Sequence, residues 1–362
     1  MPGKSSPRVT IADVAKLAGV SISTVSRVIN GSQLVNQKTA KTVHEAISTL
    51  GYAPESAARN LASRRTNTLG VLLPTIGSYF FGQVVAGIED IAYQAGYDLL
   101  IATPHLPTGR QTYDNTLGPH NTDGLLLVNV PFSESILMLC QEGFPVVSLY
   151  RSAPEPMGIP TVTVENKNGA FKLIDHLIEV HGYREIGFLR GPEGNEDSPW
   201  RERGYREALQ KHGIPLCEEW IGRGEFNAQD GRTAILEWAS RGHLPRAIFA
   251  GDDDAALGAM LTLSEMQKSI PEDIAVVGFD DSYLASFLVP PLTTVHAPTE
   301  QVGRVAAQQL IQLIHSGEAD PLVLLPTELV IRRSCGCSEV IERQSLQAST
   351  FTGETNVYQN AT

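Results

Sequence analysis

Apolar positions at helical spacing dominate the first fifty residues. Ile11, Val14, Ala15 and Ala18 form one stripe, Val25, Val28 and Ile29 a second, and Val43, Ala46, Ile47 and Leu50 a third. The pattern predicts three short helices around one small core. Thr10 stands as N-cap of the first, with Asp13 in its opening turn. Ala18-Gly19-Val20-Ser21 breaks the chain between the first two helices. Gly19 tolerates the left-handed conformation that ends a helix, and Ser21 caps the next. The third helix is expected from near Asn36 to Leu50, closed by Gly51.

From about residue 66 the period changes. Continuous apolar runs at Leu69–Leu73, Leu99–Ala102, Leu125–Val128, Val146–Leu149, Val162–Val164, Ile186–Leu189, Ala247–Ala250 and Ile274–Val277 alternate with helical patterns. Those patterns include Gly82–Ala95, Gly169–Val180, Glu202–His212, Ala228–Ser240 and Ala255–Met266. Apolar strands alternating with helices predict parallel sheets covered on both faces. The strands are too many for one compact sheet, and the rhythm restarts near Val162. The expected fold is an all-α head followed by an α/β body of two doubly wound subdomains.

Between head and body, residues 54–66 hold a helix of about two turns at most, too short to be stable alone in water. It is expected to order only against a partner helix or DNA, with a plain flexible linker as the competing reading. The tail, 335–362, is polar and lacks heptads, so it is expected to be disordered and to form no coiled coil.

Charge sharpens this division. The chain of 362 residues carries a net charge of −12, which argues against a nucleic-acid partner. Residues 1–65, however, hold nine basic and three acidic side chains, a balance of +6 that leaves −18 for the rest. A basic head on an acidic body implies that only the head approaches phosphates. No apolar run is long enough to span a membrane. The polar start has no apolar signal region, and four cysteines fit reduced thiols, so a cytoplasmic location is expected. Cys335 and Cys337 are close enough to share a metal. No Cys or His cluster of matching spacing accompanies them in the sequence, so no metal is expected. Phosphate-loop, nucleophile-elbow and zinc-protease motifs are missing, and the nine histidines are scattered. Neither an enzyme nor a cofactor is expected.

On the second helix, Ser23, Thr24, Ser26 and Arg27 are left outward by the apolar stripe. Small hydroxyls and one Arg suit a helix laid against base edges and phosphates in a major groove. A three-helix protein-binding module is the competing reading, disfavoured by the joint appearance of turn, polar face and positive balance. In the body, ligands are expected beyond the carboxyl ends of the strands. Those places hold Tyr79 and Phe80, Tyr150, Asn195, Asp197, Trp200 and Arg201, Phe226, Asp253 and Asp280. Rings for C–H faces and charged groups for paired hydroxyls are a sugar-binding combination. For Asp253, helix capping and ligand contact weigh equally.

The stretch VTIADVAKLAGVSISTVSRVING resembles, almost position for position, the head of the lactose-repressor and galactose-repressor family of bacterial transcription regulators. The likeness continues through SAARNLASRRTNTLGVLLP to Val330-Ile331-Arg332-Arg333-Ser334. It implies a sequence-specific regulator, read here as a repressor of a carbohydrate-utilisation operon. The implied partners are a near-palindromic double-stranded DNA operator, a second copy of the chain and a sugar-like effector. A nucleobase or nucleoside effector is the alternative, and a solute-binding protein the remote one. By resemblance, Ile22 and Ser23 read major-groove bases, Arg27 contacts a guanine, and Ser21, Thr24, Ser26 and Asn30 hold the phosphate backbone. Leu61 inserts at the operator centre, and Thr10 and Arg59 complete the expected DNA-contact set. Phe80, Arg201, Phe226, Asp253 and Asp280 match the effector cleft. Tyr150 stands where many sugar-responsive members carry an Asp, which removes a hydroxyl acceptor and adds a ring. The resemblance also implies a periplasmic-binding-protein-like body crossing between subdomains near 160, 289 and 319. Residues 1–53 would form the head and 67–334 the body, with 67–160 and 290–318 in one subdomain and 161–289 and 319–334 in the other.

Overall fold

The computed structural model describes residues 9–29, 34–52, 65–104, 116–338 and the backbone of 341–344. The chain divides into two compact units, Met1–Thr66 and Asn67–Thr362. The hinge helix and the tail expected from the sequence lie outside the described residues.

The first unit holds α1 (Ile11–Ala18), α2 (Ile22–Ile29) and α3 (Gln37–Leu50). Asp13 reaches back to accept from the amide and hydroxyl of Thr10, at 2.9 and 2.7 Å, and so fixes the entry of α1. Gly19 and Gly51 take the left-handed conformation that ends α1 and α3, with φ of 66° and 61°. Ser21 accepts from the Thr24 amide, and Asn36 from the Thr39 amide, capping α2 and α3. Val14, Ala15, Val25, Val28, Val43 and Ala46 form the buried core. The side chains are short, so the helices lie close and the core is small. Each buried valine contributes only about 1.5–3 kcal/mol.

The described residues of the second unit form three sheets. The first has the order β11-β5-β4-β3-β1-β2, all parallel, from β1 (Thr68–Leu72), β2 (Asp98–Ala102), β3 (Gly124–Val128), β4 (Val146–Leu149), β5 (Thr161–Val164) and β11 (Leu322–Leu325). The second has the parallel order β7-β6-β8-β9, from β6 (Ile186–Arg190), β7 (Ile221–Arg223), β8 (Ala247–Ala250) and β9 (Ala275–Val277). A short antiparallel ladder of β10 (Thr294–His296), β12 (Glu328–Ile331) and β13 (Ile341–Gln344) completes the set. Its β10 side bridges to Val277 and Asp280, which joins it to the second sheet. The helices are α4 (Tyr79–Gln94), α5 (Glu134–Gln141), α6 (Asn166–Glu179), α7 (Asp197–Lys211), α8 (Ala228–Ser240), α9 (Asp253–Glu265) and α10 (Thr299–Ser316). None of the described helices is long and apolar enough to cross a membrane.

Sheet membership corrects the expected subdomain boundaries. β5 and β11, assigned from the sequence to the second subdomain, pair with each other inside the first sheet, Thr161 opposite Leu322. Residues 294–296, assigned to the first, lie in the ladder beside β9. The chain therefore crosses between lobes at 165, 297–298 and 326–327. Two crossings are tied directly, because the Thr327 hydroxyl donates to the Glu165 carbonyl at 3.0 Å.

α4 and α10 pack back to back across the first lobe through reciprocal glycines. A Cβ on Gly87 would lie 2.0 Å from the Glu300 carbonyl oxygen, and one on Gly303 2.1 Å from that of Val84. Only glycine permits that approach. The contact fixes the start of α4, and with it Tyr79 and Phe80, against the start of α10.

Candidate functional site

In the first unit, the N-terminal end of α2 presents its polar face to solvent. Ser21, Ile22, Ser23 and Arg27 are exposed, and Thr24 and Ser26 half-buried. The Ser21 hydroxyl lies 2.8 Å from those of both Ser23 and Thr24, so three hydroxyls form one hydrogen-bonded cluster. Ile22 is 52% exposed, an unusual setting for a β-branched apolar side chain and a suitable one for a thymine methyl. Thr10, also exposed, is held by Asp13. Asn30, Arg59 and Leu61 lie outside the described residues.

In the second unit, a cleft of about 550 Å³ opens between the lobes. Eight of the ten expected residues line it: Tyr79, Phe80, Asn195, Asp197, Arg201, Phe226, Asp253 and Asp280. Its centre is the Arg201 guanidinium, buried on α7. Nε donates to Asn166 Oδ1 at 2.9 Å, Nη1 to the Gly251 carbonyl at 2.5 Å and Nη2 to Asp280 Oδ1 at 3.0 Å. The Phe279 ring lies 3.8 Å beneath it and the Phe226 ring 5.4 Å away. Asn166 also donates to Asp197 at 2.7 Å. Asn166 immediately follows the crossing at 165, so this network joins the cleft to a connection between lobes.

Backbone geometry aims the other groups. Asp280 and Asp281 follow β9 with φ of 107° and 57°, a strained pair of left-handed residues that turns both carboxylates inward. Glu225 and Phe226 share that conformation, at 51° and 53°. The Phe226 ring then lies directly over Gly191, where a Cβ would meet it at 2.2 Å. On the opposite wall Tyr79 faces Tyr283 at 5.9 Å between ring centroids, and Phe80 packs on Tyr150 at 5.3 Å.

The carboxylates are crowded and dry. Burial, with the nearby Asp280 charge adding to it, pushes Asp253 up to about 8. Burial pushes Asp280 up to about 6, against the pull of Arg201. Burial also raises Asp197, Asp252 and Asp254. Asp281 differs: burial pushes it up, but hydrogen bonds from His296 and Arg332 outweigh that and hold it below the usual carboxylate range. Such a cleft favours ligands that donate hydrogen bonds to carboxylates over anionic ones.

Two expectations are corrected, and the choice left open for Asp253 is narrowed. Capping of α9 falls to Asp252, which accepts from the Ala255 amide at 2.9 Å. Asp253 instead accepts from the Ser282 amide at 2.6 Å and the Thr294 hydroxyl at 2.7 Å. Tyr150 and Trp200 are not on the cleft wall. Both are buried behind it, around a recess of about 10 Å³ that also touches Asp197. The Tyr150 side chain follows a left-handed backbone, φ 61°, into the core under Phe80, and its hydroxyl has no hydrogen-bond partner among the described residues. The cleft also includes Tyr283, His296, Glu300 and Arg304, which sequence reasoning did not single out. Tyr283 comes from the short helical turn after Asp281, His296 ends β10, and Glu300 and Arg304 lie in the first turns of α10; none of them directly follows a strand read from the sequence.

Comparison with known proteins matches residues 10–55 to the bacterial regulatory proteins of the lacI family and residues 174–335 to a periplasmic binding protein-like domain. Catabolite control protein A of Priestia megaterium is 33% identical over 331 residues, covering 90% of this chain and 99% of that protein. The HTH-type transcriptional repressor PurR of Photorhabdus laumondii is 32% identical over 329 residues, covering 90% and 96%. The chain belongs to the lacI family of bacterial regulatory proteins. Among solved structures, a complex of the transcriptional regulator CelR with cellobiose superposes with a TM-score of 0.69 at 32% identity, covering 90% of this chain and all of that one. The lac repressor dimer bound to operator and the anti-inducer ONPF superposes with a TM-score of 0.80 at 27% identity, covering 91% and 99%. This lacI-family chain is thus a DNA-binding transcriptional regulator and not an enzyme.

Proposed function

We propose that this regulator is a homodimeric repressor of a carbohydrate-utilisation operon, controlled by a sugar bound in the cleft. The observation that carries the reading is the joint placement of rings and buried acceptors. Phe80, Phe226, Tyr79 and Tyr283 offer faces for sugar C–H groups, while Asp197 and Asp280 accept hydroxyl donors, the protonated Asp253 carboxyl can donate to one, and Arg201 holds the centre. A volume of about 550 Å³ suits a mono- or disaccharide. The relatives support this, one being described in complex with cellobiose and another being named catabolite control protein A.

A two-fold dimer presents two heads, so the operator is a near-palindrome with half-sites about one helical turn apart. Sugar binding changes the angle between the lobes and thereby the spacing of the two linkers. A coupling of about 1–3 kcal/mol changes operator affinity roughly 5- to 150-fold. The test is a thermal-shift panel of mono- and disaccharides beside purine bases and nucleosides. It is followed by operator selection from a genomic library with and without the best compound. Stabilisation by sugars, with altered operator retention, supports the reading. Stabilisation by purines alone transfers it to the class suggested by the purine-repressor relative.

A further inference from the structure

The cysteine pair with no role expected from the sequence does not stand alone in the fold. Cys335 and Cys337 lie in the turn after β12, and His176, near the end of α6, and His181, just beyond it, face them. Cys337 Sγ is 3.3 Å from His181 Nε2 and 3.6 Å from His176 Nε2, and Cys335 Sγ is 3.7 Å from His176 Nε2. One ligand atom from each of the four residues lies within 4.8 Å of the other three. Tetrahedral zinc with bonds of about 2.3 Å to sulfur and about 2.05 Å to nitrogen requires N···S edges of about 3.5 Å. The three observed edges bracket that value.

The surroundings are built for this approach. Gly336 has φ of 112°, and a Cβ there would press on the His181 ring at 3.2 Å. The Tyr183 hydroxyl donates to the Cys335 carbonyl at 3.2 Å, and its ring stacks on His181. Thr293 Oγ1 accepts the Arg332 amide at 2.8 Å, which directs its own proton to Cys335 Sγ at 3.2 Å. A hydroxyl aimed at sulfur is the outer support a metal-bound thiolate needs. The Ser334 hydroxyl further pins the turn by accepting the Thr293 amide at 2.8 Å.

We propose that His176, His181, Cys335 and Cys337 form a structural Zn²⁺ site that staples the end of α6 to the turn following β12. Four protein ligands leave no open position, so the site is structural and not catalytic. Both thiols ionise on binding, releasing their protons to solvent, and the two imidazoles ligate through Nε2. The ligands come from segments more than 150 residues apart, so the metal joins parts of the second lobe that are distant in sequence.

The test uses the full-length chain, purified under reducing conditions without chelator. Elemental analysis should find one zinc per chain. Cobalt substitution should give intense tetrahedral d–d bands and a thiolate-to-cobalt charge-transfer band. Cys337→Ser and His181→Gln, at partly exposed ligands, should weaken zinc retention by more than about tenfold, while a Cys140→Ser/Cys217→Ser variant keeps it. Chelation should lower the melting temperature of the parent and leave the two ligand variants unmoved. Circular dichroism confirms that each variant is folded. Folded, reduced parent protein without stoichiometric zinc, or with a weak octahedral cobalt spectrum, overturns the proposal. A cobalt spectrum unchanged by Cys337→Ser overturns it equally.

Discussion

Arg201→Met tests whether the cleft is organised around one buried cation. Methionine keeps most of the side-chain volume but removes the charge and all three hydrogen bonds, to Asn166, Gly251 and Asp280. Asp280 then stays buried without its cation. Breaking a buried pair by removing one partner costs about 3–5 kcal/mol. The cost falls at the upper end while Asp280 holds its charge and at the lower end once it takes up a proton. At roughly 2–4 °C per kcal/mol for a large domain, the melting temperature should fall by about 6–20 °C. Asp280→Asn in the Arg201→Met background removes the orphaned charge and should recover part of the loss. The assay is urea unfolding of parent, both single variants and the double variant, followed by tryptophan fluorescence. All three tryptophans, Trp200, Trp220 and Trp238, lie in the second lobe and report on it. The expected coupling between the two sites is about 1–3 kcal/mol. Additivity within about 0.5 kcal/mol would refute the argument.

Further outcomes follow from other contacts. Gly303→Ala forces a methyl against the Val84 carbonyl and should destabilise the chain by about 1–3 kcal/mol in denaturant titration; a loss under about 0.5 kcal/mol denies the tight helix contact. Arg27→Ala should cost about 1–3 kcal/mol of operator binding and relax selectivity at one base pair in a binding-site selection, whereas equal losses on random DNA mark it as a phosphate contact only. Asp280 and Asp253, raised to about 6 and about 8, keep protons in the folded chain that unfolded carboxylates have released. Their stabilising contribution is complete below about pH 4 and is lost as pH rises through about 6 and then about 8. Asp253→Asn should therefore flatten the fall of unfolding midpoint between pH 6 and pH 8, and an unchanged slope contradicts the raised value.

Local pattern carried much of this structure. The runs at Val146–Leu149, Ala247–Ala250 and Ala228–Ser240 coincide with β4, β8 and α8 because each is bounded by turn residues and buried as the pattern requires. Sheet membership was not legible. Thr161–Val164 looks the same locally whether it opens a second sheet or closes the first, and only its pairing with Leu322–Leu325 decides. The cleft was legible where strand ends mark it, at Arg201, Phe226 and Asp280. His296 reaches it from the end of β10, a strand not read from the sequence, and Glu300 and Arg304 reach it from the start of α10 beyond the crossing, which no local rule signals. Asp252, not singled out in the sequence, takes the cap that was one of the two readings for Asp253, because adjacent acids offer the same cap in sequence and only backbone direction separates them. The His176–Cys337 cluster was invisible for a similar reason, since its halves meet only after α6 folds beside β12.

Arg201 grips Asn166 at the point where the chain leaves one lobe for the other. On the proposed reading, a change in how tightly this guanidinium held a guest would also re-tension that junction. Occupancy and responsiveness would then be inherited together at this position. New guest preferences would, on the same reading, enter more freely at the rim, through Tyr79 and Tyr283, whose rings meet each other away from that joint.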